Sequence, residues 1–559
     1  MEEIIEESLI LNGESIKILV GPEALDSIAN PRFQTCWNSL LQSCPWATIF
    51  QSPEFVNEWT NIFHNGHIPI LIYSHLNGNL DGLLNLTLSR ESSEITGAGK
   101  SDAHYHAWIT RDYNKESFIM EALQLLKKKF TDHKILFTNL PSNAPIDWIK
   151  SDPAWSNCCD IKPLNRPFII LNHSEVDGLL KKKQFRQNIN RLKRQGDFRL
   201  ENISDINRFI HLLDELAIQY DFRQWATYNR YPFKSNPLKK TFYIRLFQKQ
   251  LLNATVLWLN DQVIGSIVGT VGINGWVHGA GINTQCPSFS KFSPGFLNFI
   301  LYAEQLSKAG YEFLDLSTGA FSYKDRLAST SDTVYRLVIY PRPQNTIKKR
   351  STNVVQDFVA KGMNRMNIDP KKIKDPLLKN SLLAKEKLIL IKTHGIHTWV
   401  RNTVLKIVNN KSHTYTIMKE GEALKGNNVI SINLNSTRDF LDFEPDGSLL
   451  TKWEFLFDCM RRMEKGEVSF SWSSENKLMA LIWMQKIPWN DGISTPETAQ
   501  ENISILQGLY VHQKGLQDLD QFLSKVKEKA YENNQNQKLV VSAPLNLKPY
   551  CPNLEIVQP

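Results

Sequence analysis

The sequence predicts an α/β protein: tandem mixed-sheet domains, a helical connector, and a third, degenerate copy of the same unit. Three observations predict it. The phrase helix, strand, tight polar turn, strand occurs three times, as SPEFVNEW…PILIYSHLNGNLDGLLNL, PLKKTFYIRLF…ATVLWLNDQVIGSIVG and TKWEFLFDCMRRMEKGEVSFSWSSENKLMALIWM. Such repetition at irregular spacing indicates duplicated modules, not a solenoid. Between Ala254 and Tyr340 the apolar period changes from alternating to helical and back, as in a sheet with a crossover helix. Finally, 559 residues at 42% hydrophobic and 22% charged suffice for three or four globular domains.

In chain order, residues 15–20 read as a strand and 33–41 as a helix. Ser52-Pro53-Glu54 opens the next helix, with serine as N-cap and proline at its first position. Its apolar face is Phe55, Val56, Trp59, Ile62 and Phe63. Residues 68–75 and 80–88 form a hairpin about Asn77-Gly78, the strongest short-range turn signal in the chain. A helix (115–130) and a strand (134–139) complete that unit. Next come a strand (167–171), the basic helix KKKQFRQNINRLKRQG, and helices at 206–219 and 238–252. Residues 255–259 and 263–271 pair about Asn260-Asp261, and 275–282 follows Asn274-Gly275. Ser293-Pro294-Gly295 starts a helix whose apolar residues Phe296, Phe299, Ile300, Ala303 and Leu306 recur at helical spacing. Residues 313–317 return as a strand. The amides at this helix start, beside a splayed sheet, suit a pyrophosphate. The third copy ends as strand, turn, helix, strand. Its turn HQKGLQDLD sets Asp518 and Asp520 where phosphate would have to sit, so no donor is expected there.

Charge is uneven. The whole chain carries 65 Lys and Arg against 57 Asp and Glu, net +8, but residues 341–428 alone hold 18 against 6. The remainder is net −4, which is not the surface of a polyanion binder. Within the basic segment Val354, Val355, Phe358, Val359, Met363 and Met366 approach one helical stripe, so 346–428 reads as a connector able to lie on an anionic membrane. Packing against the other domains is the plain alternative. No run reaches the ~18 apolar residues a span requires. The acidic start MEEIIEESLILNGESIK lacks a basic leader, and seven cysteines without CxxC spacing argue for a reducing compartment. The expectation is a cytoplasmic protein, peripheral at the inner membrane if the connector docks.

The motifs SPGFLNF and LDLSTGAFSYKDRL, with IFQSPEFVNEW upstream, resemble the GNAT superfamily of acyltransferases. The similar branch is that of cellulose and exopolysaccharide biosynthesis, akin in fold to Fem-type aminoacyltransferases. The likeness covers roughly residues 45–345. It implies GNAT-like domains at 1–160 and 161–345, the second holding the acyl donor, a basic connector at 346–428, and a degenerate GNAT-like domain at 429–559. It also implies acetyl-CoA or another acyl-CoA as co-substrate, with no metal. Phe292, Ser293, Gly295 and Phe296 would cradle the phosphates, with Lys291 as charge partner. This turn has one glycine and a proline where the commoner pattern spaces two glycines after a basic or glutamine residue.

Acyl transfer to an amine needs a neutral, placed amine, a polarised carbonyl and a proton for the leaving thiolate. Asp315 is the leading base: alternation puts it on a strand face with Phe313 and Ser317, where burial would raise its pKa. A structural Asp–Lys or Asp–Arg pair is the competing role. Tyr323 could protonate the thiolate, and Lys324 or Arg326 could hold an acidic substrate group. His278, sharing a strand face with Trp276, completes the catalytic set, with a satisfied core histidine as its bland alternative. Arg223, Trp225 and Tyr228, read as a loop, mix cationic and aromatic groups suited to a sugar or a carboxylate.

Two motifs are declined. GAGKSD lacks the first glycine of a phosphate-binding loop, since Glu94 stands there. Asp102, His104 and His106 alternate onto one strand face as three metal ligands would, but the resemblance gives Asp102 a better role facing the substrate cleft, with His104 beside it. The basic helix is one face without aromatic platforms, which disfavours nucleic acid. The resulting expectation is an acyl-CoA-dependent N-acyltransferase acting on an amino sugar or other small amine in surface-polysaccharide biosynthesis. Fem-like transfer from aminoacyl-tRNA and a non-catalytic binding or scaffold protein are the alternatives. Nothing in the sequence sets an oligomeric state.

Overall fold

The computed structural model describes residues 8–11, 14–111, 116–319, 322–343, 383–389, 391–393, 413–417, 430–445, 450–486, 502–532, 537–543, 547, 549–551 and 554–556. The stripe at 354–366 and most of the basic connector lie outside them. Two compact units are present. Unit 1 comprises Met1–Leu216, Asn236–Thr284 and Ser293–Asp369; unit 2 comprises Ala217–Ser235, Gln285–Phe292 and Pro370–Pro559.

Unit 1 is built on one fourteen-stranded mixed sheet. Its strands are β1 (Ser8–Leu11), β2 (Glu14–Val20), β3 (His67–Leu76), β4 (Asn79–Ser89), β5 (Glu94–Gly97), β6 (Ile109–Thr110), β7 (Lys134–Leu140), β8 (Cys159–Ile170), β9 (Phe198–Ile203), β10 (Leu252–Leu259), β11 (Gln262–Val271), β12 (Trp276–Gln285), β13 (Phe313–Asp315) and β14 (Thr330–Ile339). Their order is β1-β2-β3-β4-β5-β7-β14-β8-β13-β12-β11-β10-β9, with β6 on β4. The two sequence halves therefore share one sheet, joined where β14 lies between β7 and β8.

Local chemistry accounts for the ladders. The β3–β4 turn uses Asn77 and Gly78 at φ 51° and 78°, and the β11–β12 turn uses Asn274 and Gly275 at 54° and 73°. Positive φ at both central residues gives a type I′ twist that matches paired strands. Ser52 caps helix Pro53–Phe63 through the Phe55 amide, and Phe55, Val56, Trp59 and Phe63 are buried as the apolar spacing requires.

Parallel pairing occurs where a helix crosses over: β5 to β7 through helix Ser117–Lys129, and β12 to β13 through helix Pro294–Lys308. Unit 2 repeats the device. Its seven strands are β15 (His413–Ile417), β16 (Asn433–Leu434), β17 (Val468–Ser474), β18 (Lys477–Lys486), β19 (Asn502–Val511), β20 (Gln537–Ala543) and β21 (Leu554–Ile556), ordered β16-β17-β18-β19-β20-β15-β21. Here β19 and β20 run parallel around helix Leu519–Tyr531. The described protein is thus α/β with two mixed sheets.

Four expected elements differ. Arg223, Trp225 and Tyr228 are not in a loop: helix Ile206–Tyr228 runs through them and stops where Asn229 turns to φ 55°. No glycine or proline interrupts it earlier, and Asp221 reaches out to accept from the Phe233 and Lys234 amides. Residues 103–108 form no strand, because side chains take their carbonyls: Asn139 donates to His104 O, Gln51 to Tyr105 O, and Trp46 to Trp108 O. Strand β13 ends at Asp315, since Ser317 sits at φ 63°. Helix Leu238–Gln248 likewise ends earlier than expected, at Gln250 with φ 59°, before β10 begins. Among the described residues no helix is long and apolar enough to cross a membrane.

Candidate active site

Four adjacent strands of unit 1 lay chemistry-bearing side chains along one face. On β12, Trp276 and His278 are two residues apart and so share a face; β13 offers Phe313 and Asp315, β8 Arg166 and Phe168, β14 Asp332. Register brings them together. His278 lies opposite Asp315 in the parallel β12–β13 pair, and Asp332 opposite Arg166 in the antiparallel β14–β8 pair.

Asp315 is fully buried. Its Oδ2 accepts from the Tyr105 hydroxyl at 2.5 Å and from His278 Nδ1 at 2.9 Å, while Oδ1 accepts from the Ser317 amide at 2.7 Å. Burial alone would raise its pKa. The His278 hydrogen bond, the Arg166 charge and the Tyr105 hydrogen bond outweigh burial and hold the carboxyl at about 2. Asp315 is therefore a saturated carboxylate, an orienting group and not an exposed base. Burial and the neighbouring carboxylate push the Tyr105 hydroxyl well above its usual range, so it remains a donor. With Nδ1 committed to Asp315, Nε2 is the ring nitrogen left to exchange a proton.

His278 lines a cleft of about 190 Å³ together with Trp46, Thr48, Ser142, Asn143, Arg166, Asn274, Trp276 and Asp332. Arg166 stacks over Trp276 at 4.5 Å and over Tyr105 at 5.4 Å. Its Nε donates to Asp332 Oδ1 at 2.7 Å and its Nη2 donates to Oδ2. Phe50 packs against both His104 and His278, 5.1 Å between ring centres in each case.

The other expected residues fall into separate places. Lys324 is buried and donates to Ser317 O and Thr318 O at 3.0 and 2.9 Å, clamping the turn behind Asp315. Burial brings its pKa down to about 8, partly opposed by Asp315. Tyr323 faces Phe299, ring centres 6.1 Å apart. Asp102 is engaged by Trp59 Nε1 at 3.2 Å and by the Lys239 ammonium. His104 keeps a buried Nδ1 without a hydrogen bond, and burial lowers its pKa to about 4. His106 is bonded to Thr138 N and Lys100 O, and no metal-binding group forms among the described residues.

At the start of helix Pro294–Lys308, Ser293 is left-handed at φ 55° and offers no side-chain cap; Pro294 has no N–H to cap. The amides of Gly295 and Phe296 follow. Arg326 lies over the Phe296 ring at 5.0 Å, its Nη1 donates to Gln184 Oε1 at 3.2 Å, and its carbonyl accepts from Lys182 Nζ. Uncapped amides with the Arg326 guanidinium over the adjoining Phe296 ring fit an anionic group such as the phosphates of an acyl-CoA. Lys291, over the Phe292 ring at 5.0 Å, ends the preceding 3-10 segment with Phe292, both belonging to unit 2. In unit 2 also, Trp225 stacks on Tyr231 at 4.1 Å beneath Lys452, Arg223 is half-buried and Tyr228 exposed.

Tyr105, Arg166 and Asp332 were not anticipated. Arg166 had one visible signal, a lone arginine beside an apolar strand. Tyr105 had none, because its partner lies 210 residues away.

The family model for the acetyltransferase (GNAT) domain matches residues 181–325, a stretch that contains His278, Asp315 and the Ser293 turn but neither Tyr105 nor Arg166. No curated protein matches the chain. Among solved structures, FemX is 9% identical with a TM-score of 0.39, covering 56% of this chain and 98% of its own. A tandem GNAT protein from the clavulanic acid biosynthesis pathway is 12% identical at 0.37, covering 58% and 99%. L-PGS from Bacillus licheniformis is 11% identical at 0.36, covering 60% and 97%.

Proposed function

We propose that unit 1 is an acyl-CoA-dependent N-acyltransferase acting on an amino sugar or other small amine, in surface-polysaccharide biosynthesis. The carrying observation is the buried Asp315 fixed to Nδ1 of a histidine that lines the cleft. Bound acyl-CoA would supply the activated thioester carbonyl, its phosphates held by the Gly295 and Phe296 amides with Arg326. Asp315 and Tyr105 hold the His278 ring in one orientation. Nε2 then takes the proton that the acceptor nitrogen loses as its bond to carbon forms. Tyr323, on the short helix Ser322–Leu327, supplies the proton for the departing sulfur. Trp276 and Trp46 wall the acceptor, and Ser142, Asn143 and Asn274 offer hydrogen bonds to hydroxyls. The family model for acetyltransferases supports the donor class, and the motif resemblance supports the polysaccharide setting.

The test is thiol release from acetyl-CoA in the presence of glucosamine and a panel of small amines, with thermal shift by acetyl-CoA measured in parallel. His278→Gln keeps a hydrogen bond to Asp315 but removes the base. Its kcat should fall roughly 10²–10⁴-fold while acetyl-CoA still stabilises the protein. No stabilisation by any acyl-CoA, or an undiminished rate in the variant, would refute the proposal.

A further inference from the structure

Among the described residues that line the cleft, Arg166 is the one Lys or Arg, and its charge is already answered. Arg166 is nine-tenths buried, and its guanidinium is gripped by both oxygens of Asp332 in a fork-to-fork pair. Ser142 Oγ donates to Asp332 Oδ2 at 3.4 Å, fixing the carboxylate from the other side. The pair is set by the backbone, since Arg166 and Asp332 are direct cross-strand neighbours. Stacking of the guanidinium on Trp276 fixes its plane. The remaining walls are aromatic or uncharged, apart from His278.

A phosphate or carboxylate entering this cleft meets an arginine whose positive charge is spent and a carboxylate that repels it. A hydroxyl or neutral amine meets a cleft of Trp46, Trp276 and uncharged polar groups at no such cost. We propose that the Arg166–Asp332 pair is a charge filter, restricting acceptors to hydroxyl-bearing amines that carry no phosphate or carboxylate. The filter rests on the acceptor cleft of the transferase reading, and it names the substrate class of that site. Asp332 is the specificity-determining residue. Arg166 alone would make the same cleft an anion site.

The experiment compares glucosamine with glucosamine 6-phosphate, by acetyl transfer and by calorimetric binding without donor. Wild-type protein should prefer glucosamine by roughly tenfold or more in kcat/KM and in affinity. Asp332→Asn keeps the shape and frees the Arg166 charge, so the preference should invert towards the phosphorylated sugar. The double variant Arg166→Gln with Asp332→Asn removes both charges and should lose that gain. Inversion in the single variant and its loss in the double variant establish the filter. A wild-type preference for the phosphorylated sugar, binding of neither sugar, or an unchanged ratio in folded Asp332→Asn would overturn it. If Asp332→Asn does not fold, Asp332→Ser, which also frees the Arg166 charge, takes its place, and an unchanged ratio there overturns the filter. Calorimetry separates the two failures: selective binding without acetyl transfer sinks the transferase reading and leaves the filter standing.

Discussion

Asp315 shows how burial reassigns a residue's role. A carboxylate in an apolar strand suggests a base of raised pKa, but the hydrogen bonds from His278 and Tyr105 and the Arg166 charge pull this one the other way. The histidine that supplies one of those hydrogen bonds lines the cleft. Two further histidines carry a consequence for stability. Burial lowers both His104 and His106 to about 4 from 6.5. For His106 the cause is visible: Nδ1 accepts from Thr138 N at 3.1 Å and Nε2 meets Lys100 O at 3.0 Å, so an added proton has no lone pair to occupy without losing a bond. Below pH 6.5 the unfolded chain binds protons that the folded one refuses. Stability is therefore full above 6.5 and is lost as pH falls towards 4, by at most about 1.4 kcal/mol per pH unit for each histidine. Asp315, depressed from 3.8 to about 2, adds a further loss across that lower window. Urea midpoints at pH 7 and pH 5 should differ, and His106→Gln should reduce the difference; equal midpoints would show that these rings are not held neutral. Of the site, the sequence made His278 and Asp315 visible because each breaks the apolar pattern of a strand. It could not show Tyr105 or the Asp332 partner of Arg166, which depend on pairings across 210 and 166 residues.

Elements with local causes were legible. Paired positive-φ residues at Asn77-Gly78 and Asn274-Gly275 announce their hairpins, and Ser52-Pro53 announces a helix, because the neighbouring atoms alone decide the outcome. Segment 103–108 was misread because its hydrogen bonds come from distant side chains at Gln51, Asn139 and Trp46, which no period records. Strand β12 carries a constraint of its own. A Cβ on Gly281 would stand 2.1 Å from the Val268 carbonyl oxygen on β11, and backbone there cannot rotate away. Gly281→Ala should therefore cost about 1–3 kcal/mol and disturb the strand that carries Trp276 and His278. Gly178→Ala, on helix His173–Leu180 with nothing within 4 Å, is the matched control and should be neutral or slightly stabilising. Equal urea midpoints for the two variants would mean that β11 and β12 are less closely paired than described.

At the scale of the whole molecule, the chain crosses between its units more than once. Unit 2 includes Ala217–Ser235 and Gln285–Phe292, two stretches that in sequence interrupt unit 1. They are core there: Phe222, Ala226 and Cys286 are buried in a cluster with Phe440, Phe443, Phe455, Leu456 and Trp483, and Trp453 Nε1 donates to Ala226 O at 3.1 Å. Phe222 and Phe440 rings lie 5.8 Å apart. A linear reading at residue 345 would propose a self-sufficient transferase followed by separable domains. Interleaving gives a different expectation. A chain ending after residue 345 keeps the whole fourteen-stranded sheet and all of the cleft-lining residues, yet it strips Phe222, Ala226 and Cys286 of the side chains that bury them. Each large apolar side chain left uncovered forfeits roughly 1.5–3 kcal/mol and adds to an exposed apolar patch. Expressed alone, residues 1–345 should therefore aggregate or melt well below the full chain. Changing Phe222 and Ala226 to Ser in that shortened chain should improve its solubility. The same two changes in the full chain should be destabilising, because there they place hydroxyls in a packed core. Thermal melts and gel filtration of the four proteins read this out. A shortened chain that is monodisperse and melts with the full-length protein would show that unit 2 contributes nothing to its folding.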